Sequence, residues 1–276
     1  NYGVLKKKIN KLLKDKSKHL PLLGDCKLSR LDFCINAELE NQEQVKAYIK
    51  MARRANIPQY LNQRLYYDKK AKRKKQYEDD MTVYNDDYIE ISIYNKLRQM
   101  KKEEKKIYSE KDFKAAENIV RIEIRCMKKK LKELKKKFNV QTIDNFMKKA
   151  DKIGRYLYKH YLSEMFGTGE IFTLKKAKEQ FLLGDLKPKN IEALNEFLEF
   201  ANEMRSVNKA YEIYCKADGK KETRRVLNMF NYVDTSYVTM PSREAKLFKQ
   251  EYIPAPLDLV ADCLNLDEDW RYNDEY

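Results

Sequence analysis

The stretch YIEISIYNK, residues 88–96, alternates between apolar and polar side chains. Successive side chains of a strand point to opposite faces. Ile89, Ile91 and Ile93 therefore share one face, and Tyr88, Glu90, Ser92, Tyr94 and Lys96 share the other. The isoleucine face belongs to a core. The opposite face carries a carboxylate, a hydroxyl, a phenol and an ammonium in a row.

Two other segments repeat the pattern. In KLSRLDFCIN (27–36), Leu28, Leu31, Phe33 and Ile35 are apolar, with Arg30, Asp32, Cys34 and Asn36 opposite. In ENIVRIEIRCM (117–127), Val120, Ile122 and Ile124 oppose Arg121, Glu123 and Arg125. Each of the three strands thus places one acid on its polar face: Asp32, Glu90 and Glu123. In a shared sheet with helices over the apolar side, these acids converge, joined by Arg30, Arg121, Arg125 and Lys96. Clustered carboxylates suit a hard divalent cation, Mg²⁺ or Mn²⁺. Arginines suit phosphate, which they grip as a fork. Tyr94 is then the candidate nucleophile, a role that requires activation by a nearby cation or metal. The same residues also suit a solvated sheet face laced with cross-strand Arg–Glu pairs.

The chain of 276 residues is strongly basic, with 58 Lys plus Arg against 43 Asp plus Glu and a net charge of +15. That balance points to a polyanionic partner, nucleic acid before an anionic membrane. A lysine-rich proteome is the plainer explanation. No apolar run approaches the length of a membrane-spanning helix. The five cysteines are dispersed without a CxxC, the pattern of reduced thiols and a cytoplasmic location. With only His19 and His160 besides, a structural zinc site is not expected.

Periodicity changes near residue 140. Before it, a helix is expected in NQEQVKAYIKMARRANIP, ended by Pro58. Short strands are expected at 64–68 and 81–85, and a basic helix at 128–138 whose Lys128 and Lys129 are candidate backbone contacts. After it, Phe146, Ala150, Ile153, Leu157, Tyr161 and Met165 follow helical spacing from an N-cap at Thr142. Further helices are expected after a Thr173 cap, at 191–204, 206–217 and 220–231. The expected fold class is α+β, a mostly antiparallel sheet with helices on one face, followed by a C-terminal helical domain. The expected division is 1–140 catalytic, 141–235 helical and DNA-reading, and 236–276 an extended, proline-containing acidic tail.

The segments RLDFCIN, TVYNDDYIEISIYNK and NIVRIEIRCMKKKLK together resemble the ordered motifs of rolling-circle replication initiators. The resemblance is to the Rep_trans plasmid initiators and the gene II/X-type nickases of filamentous phage. It implies a metal-dependent, tyrosine-type DNA endonuclease and strand transferase that nicks single-stranded or hairpin origin DNA. The tyrosine stays joined to the 5′ phosphate and a 3′ hydroxyl is freed. By motif position Tyr94 is the nucleophile, Lys96 or Arg121 a phosphate contact, and Asp32 and Glu123 the ligands of Mg²⁺ or Mn²⁺. Glu90 joins the metal set only by alternation. The motif tyrosine is followed by Asn95 where the pattern more commonly has Asp. Tyr84, Tyr88 and the Tyr66–Tyr67 pair, which resembles the paired tyrosines of some initiators, are competing candidates. A host helicase and polymerase, and a second copy of the chain, are the candidate further partners. Two rival readings are a non-catalytic nucleic-acid-binding protein and an inactive relative that keeps the sheet as a scaffold.

Overall fold

The computed structural model describes residues 2–16, 22–64, 80–103, 107–266 and 270. Its first half runs α1 (Tyr2–Lys16), β1 (Arg30–Glu38), α2 (Gln42–Ala52), β2 (Asn62–Arg64), β3 (Asp80–Asn85) and β4 (Ile89–Asn95). Then come α3 (Lys96–Lys102), α4 (Glu110–Ala115), β5 (Ile119–Met127) and α5 (Lys128–Lys137). The second half holds α6 (Ile143–Lys148), α7 (Ala150–Phe166), β6 (Ile171–Phe172), α8 (Leu174–Leu183) and α9 (Pro188–Met204). It ends with α10 (Val207–Ala217), α11 (Gly219–Tyr232), α12 (Ser242–Phe248), β7 (Tyr252–Ile253) and α13 (Pro256–Leu264). The fold is α+β.

Five strands form one sheet in the order β1-β5-β4-β3-β2, every neighbouring pair antiparallel. Register aligns the apolar positions into rungs. Met81, Ile93, Ile122 and Ile35 form one; Val83, Ile91, Ile124 and Phe33 form the next. Helix α2 turns Val45, Tyr48, Ile49 and Met51 inward, and packs on β3, β4 and β5. Its start is fixed by Asn41, whose side chain accepts from the Gln44 N–H at 3.0 Å.

Helix α7 lies beyond the composition change near 140, yet it packs on the sheet. A Cβ at Gly154 would stand 3.0 Å from the Phe33 ring, so the missing side chain is what lets α7 approach β1. The Tyr158 hydroxyl reaches the Ile122 carbonyl at 3.4 Å. Helix α13 contacts both α7 and β1. One contiguous buried cluster consequently runs from Ile35 in the sheet to Phe197, Phe230 and Trp270.

Several expectations shift. The helix expected to reach Pro58 stops at Ala52, because backbone groups beyond it serve other elements: Asn56 N–H donates to the Met165 carbonyl, and the Arg54 carbonyl accepts from Val207. Thr142 caps α6 as expected, but the helix restarts at Ala150 after Lys149. Residues 236–264 are not one extended segment. Pro241 and Pro256 stand at the starts of α12 and α13, where a missing N–H costs nothing. Of the strand expected at 64–68, only Arg64 lies within the described residues. Among the described residues, no helix is long and apolar enough to cross a membrane.

Candidate active site

The polar face of the sheet is built by the same register. Glu90, Arg125 and Asp32 lie on one rung; Ser92, Glu123 and Cys34 on the next; Tyr94, Arg121 and Asn36 on the third. The three acids picked out by alternation are thus brought together, with arginines interleaved between them. A cavity of about 720 Å³ opens above them.

Arg125 is the hub. Its guanidinium donates to Glu123 Oε1 at 2.9 Å and Asp32 Oδ2 at 3.3 Å, and also to Glu90 Oε1. Arg64 Nη1 holds the other Glu90 oxygen at 2.9 Å, and Arg30 Nε holds Asp32 Oδ1 at 2.8 Å. Burial pushes the Asp32 carboxyl up, but Arg30 and Arg125 outweigh it and hold the group below its ordinary range. This arrangement does not fit a metal held by the three acids. The Arg125 guanidinium faces all three, and among the described residues no three His, Cys, Asp or Glu side chains form a group able to hold a metal ion.

The Tyr94 hydroxyl donates to Glu123 Oε2 at 3.0 Å. Burial and the neighbouring Glu123 charge raise its pKa well above the usual phenol value, against a lowering by Arg121. Tyr94 is therefore a neutral phenol hydrogen-bonded to the Glu123 side chain. Among the described residues it is the tyrosine that lines this cavity. Tyr84 lies beneath Arg64, 4.5 Å from the guanidinium, and Tyr88 donates to Glu133 at 2.5 Å. The Tyr66–Tyr67 pair lies outside the described residues.

The position of Tyr94 depends on its neighbour. Strand β4 ends at Asn95, whose buried side chain accepts from the Arg98 N–H at 3.0 Å and so caps α3. Its amide also donates to Gln42 Oε1 at 2.8 Å, tying the junction to α2. Alternation stops there. Lys96, grouped with Tyr94 by its sequence spacing, is instead the first residue of α3, donates to Gln99 at 3.2 Å and does not line the cavity. Arg121 stays on the polar face, half-buried, its Nε 3.5 Å from Glu123 Oε2.

Lys128 and Lys129 are not in this cavity. They line a separate cleft at the start of α5, with Lys129 3.7 Å from Asp87. Lys130 in the same basic run is buried, bonded to Glu133 at 2.7 Å with its ammonium 5.0 Å from the Tyr88 ring. His160 stacks on Tyr156 at 5.7 Å.

Sequence reasoning missed the contribution of α3. Arg98, Gln99, Lys102 and Glu103 line the cavity, as do Arg64, Asp80 and Thr82. The signal for the first four was present as helical spacing, since 98 with 102 and 99 with 103 are four apart. Around the cavity Arg30, Arg64, Arg98, Lys102 and Arg125 are matched by Asp32, Asp80, Glu90, Glu103 and Glu123, five of each sign.

Residues 3–149 match the family model for the N-terminal region of the phage replication-associated gene II protein. The chain belongs to this family. It is a replication-associated protein of the phage type, and the matched span contains the whole five-stranded sheet, with all three acids and Tyr94. No curated protein and no solved structure matches the chain.

Proposed function

We propose that this replication-associated protein starts rolling-circle replication by nicking single-stranded origin DNA through Tyr94. The observation that carries the reading is the Tyr94–Glu123 hydrogen bond of 3.0 Å at the centre of the polar face. Glu123 acts as general base and takes the phenolic proton as the Tyr94 oxygen attacks the scissile phosphorus. The bond from phosphorus to the 3′ oxygen breaks, that oxygen takes a proton from water, and the 5′ phosphate stays on Tyr94. In the reverse direction a 3′ hydroxyl attacks the phosphotyrosine and rejoins the strand. Arg98 and Lys102, projecting from α3 into the cavity, are placed to meet the non-bridging oxygens. Arg125 and Arg64 fix the carboxylates and keep the site's charge balanced before DNA arrives. The freed 3′ hydroxyl is a primer end for a host polymerase, with unwinding left to a host helicase.

The test is a covalent adduct. Labelled single-stranded fragments of the encoding replicon are incubated with wild-type and Tyr94→Phe protein, with Mn²⁺ and with chelator, and resolved under denaturing conditions. An adduct lost in Tyr94→Phe supports the reading. An adduct that survives the substitution moves the nucleophile elsewhere. Binding without any adduct makes the protein a non-catalytic nucleic-acid binder.

A further inference from the structure

The candidate active site has five cations matched by five acids, so it supplies little net attraction for a polyanion. A second cleft, of about 1040 Å³, is different. It lies where the end of α2 meets the α9–α10 turn and the start of α12, and it is lined by seven Lys or Arg against Glu203 and Glu244. Glu244 is buried and already bound to Lys50 at 2.6 Å. Among the described residues, Arg54, Lys175, Arg205, Lys209 and Arg243 make no salt bridge.

Holding like charges together without counter-charge costs free energy in the empty protein. Arg54 is partly desolvated, and burial lowers its pKa; Glu244 opposes that and Arg205 adds to it. Arg205 itself sits at φ 52°, ψ 30°, a left-handed helix end that Gly or Asn occupies more comfortably. Strand β2 separates this cleft from the active site. Gln63 lines the cleft, while the next residue, Arg64, lines the active-site cavity, as alternation along a strand requires.

We propose that this cleft holds the phosphodiester backbone of the DNA on one side of the scissile bond, the strand passing over the edge at β2 to reach Tyr94. The inference rests on the reading of the protein as acting on DNA. Binding energy is gathered in the cleft and chemistry is done on the neutral sheet face.

The test is the salt dependence of equilibrium binding to a labelled single strand of arbitrary sequence, since backbone contacts are sequence-independent. Each lost contact lowers the slope of log K against log salt by about 0.7 on single-stranded DNA. The full-length Lys175→Gln/Arg205→Asn/Arg243→Gln variant is expected to lose about 2 from the slope. These three side chains are exposed and unpaired, and Asn suits the backbone at 205, so the fold should be retained. The control is Lys7→Gln/Lys8→Gln/Lys11→Gln on exposed positions of α1, which removes the same charge and should leave the slope near wild type. An unchanged slope in the cleft variant, or an equal fall in the control, overturns the proposal. So does stabilisation by inorganic pyrophosphate at submillimolar concentration with an unchanged DNA slope, which would assign the cleft to a small anion. An adduct with an unchanged slope removes the cleft and keeps the nicking reading. A changed slope with no adduct does the reverse.

Discussion

Replacing Glu123 with Gln separates the general-base role from every other role the residue could have. The substitution keeps the side-chain volume and an oxygen able to accept from Arg125, now 2.9 Å away. It removes the charge proposed to take the Tyr94 proton across 3.0 Å. The Tyr94 pKa lies above 10, so at pH 8 fewer than about one phenol in a hundred is ionised unaided. General-base catalysis of this kind is worth about 10²–10⁴ in rate, or about 3–5 kcal/mol of barrier. Single-turnover adduct formation on saturating origin DNA should slow by that factor, and should then rise with pH well past neutrality. DNA affinity should hold or improve, because Arg121 and Arg125 lose a counter-charge. Anisotropy on the same fragment measures it. A slowing of less than about fivefold would refute the proton-transfer reasoning. Loss of Mn²⁺ or DNA affinity in place of rate would give Glu123 a ligand's role.

Arg125→Ala leaves Asp32, Glu90 and Glu123 facing one another without their shared cation, so Mn²⁺ affinity measured by calorimetry should rise about tenfold or more as the ion takes the guanidinium's place. A fall in Mn²⁺ affinity would show that Arg125 does not compete with metal. Because the Asp32 carboxyl is held below its ordinary 3.8, the stability it contributes is complete above that value and is lost as pH falls through the lower folded value. Asp32→Asn should flatten that acid limb in denaturant titrations, with a cost at neutral pH of no more than about 1 kcal/mol at this partly exposed pair. An acid limb as steep as wild type would count against the pairing. At Gly169 a Cβ would lie 2.0 Å from the Asp234 backbone, so Gly169→Ala should destabilise by about 3 kcal/mol in chemical unfolding. A loss below about 1 kcal/mol would mean that the loop before β6 yields freely.

The sheet was legible because isoleucine at every second position leaves few alternatives. Asp32, Glu90 and Glu123 came together because register places Glu90 and Asp32 opposite Arg125, with Glu123 on the next rung. What alternation cannot express is where it stops. Counting one residue past Asn95 assigns Lys96 to the polar face, but the Asn95 side chain caps α3 and the chain turns. The role of Arg125 was obscure for a related reason. A lone arginine on a polar face reads as a phosphate contact until the strands on both sides are known to offer it carboxylates. Proline misled in the tail, since Pro241 and Pro256 begin helices, as Pro188 begins α9. The basic cleft joins segments near residues 54, 205 and 243, and no local pattern announces such a meeting.

The family match stops at residue 149 and α7 begins at residue 150. Yet α7 supplies Ile153, Leu157, Tyr158, Tyr161 and Leu162 to the same buried cluster as the sheet, and α13 closes over the edge at β1. A fragment cut at the end of the matched span would keep every residue of the candidate chemistry and uncover the apolar surface of the sheet that α7 and α13 bury. Such a surface invites self-association. The portion of this chain recognisable by ancestry is therefore shorter than the portion that shares one buried core.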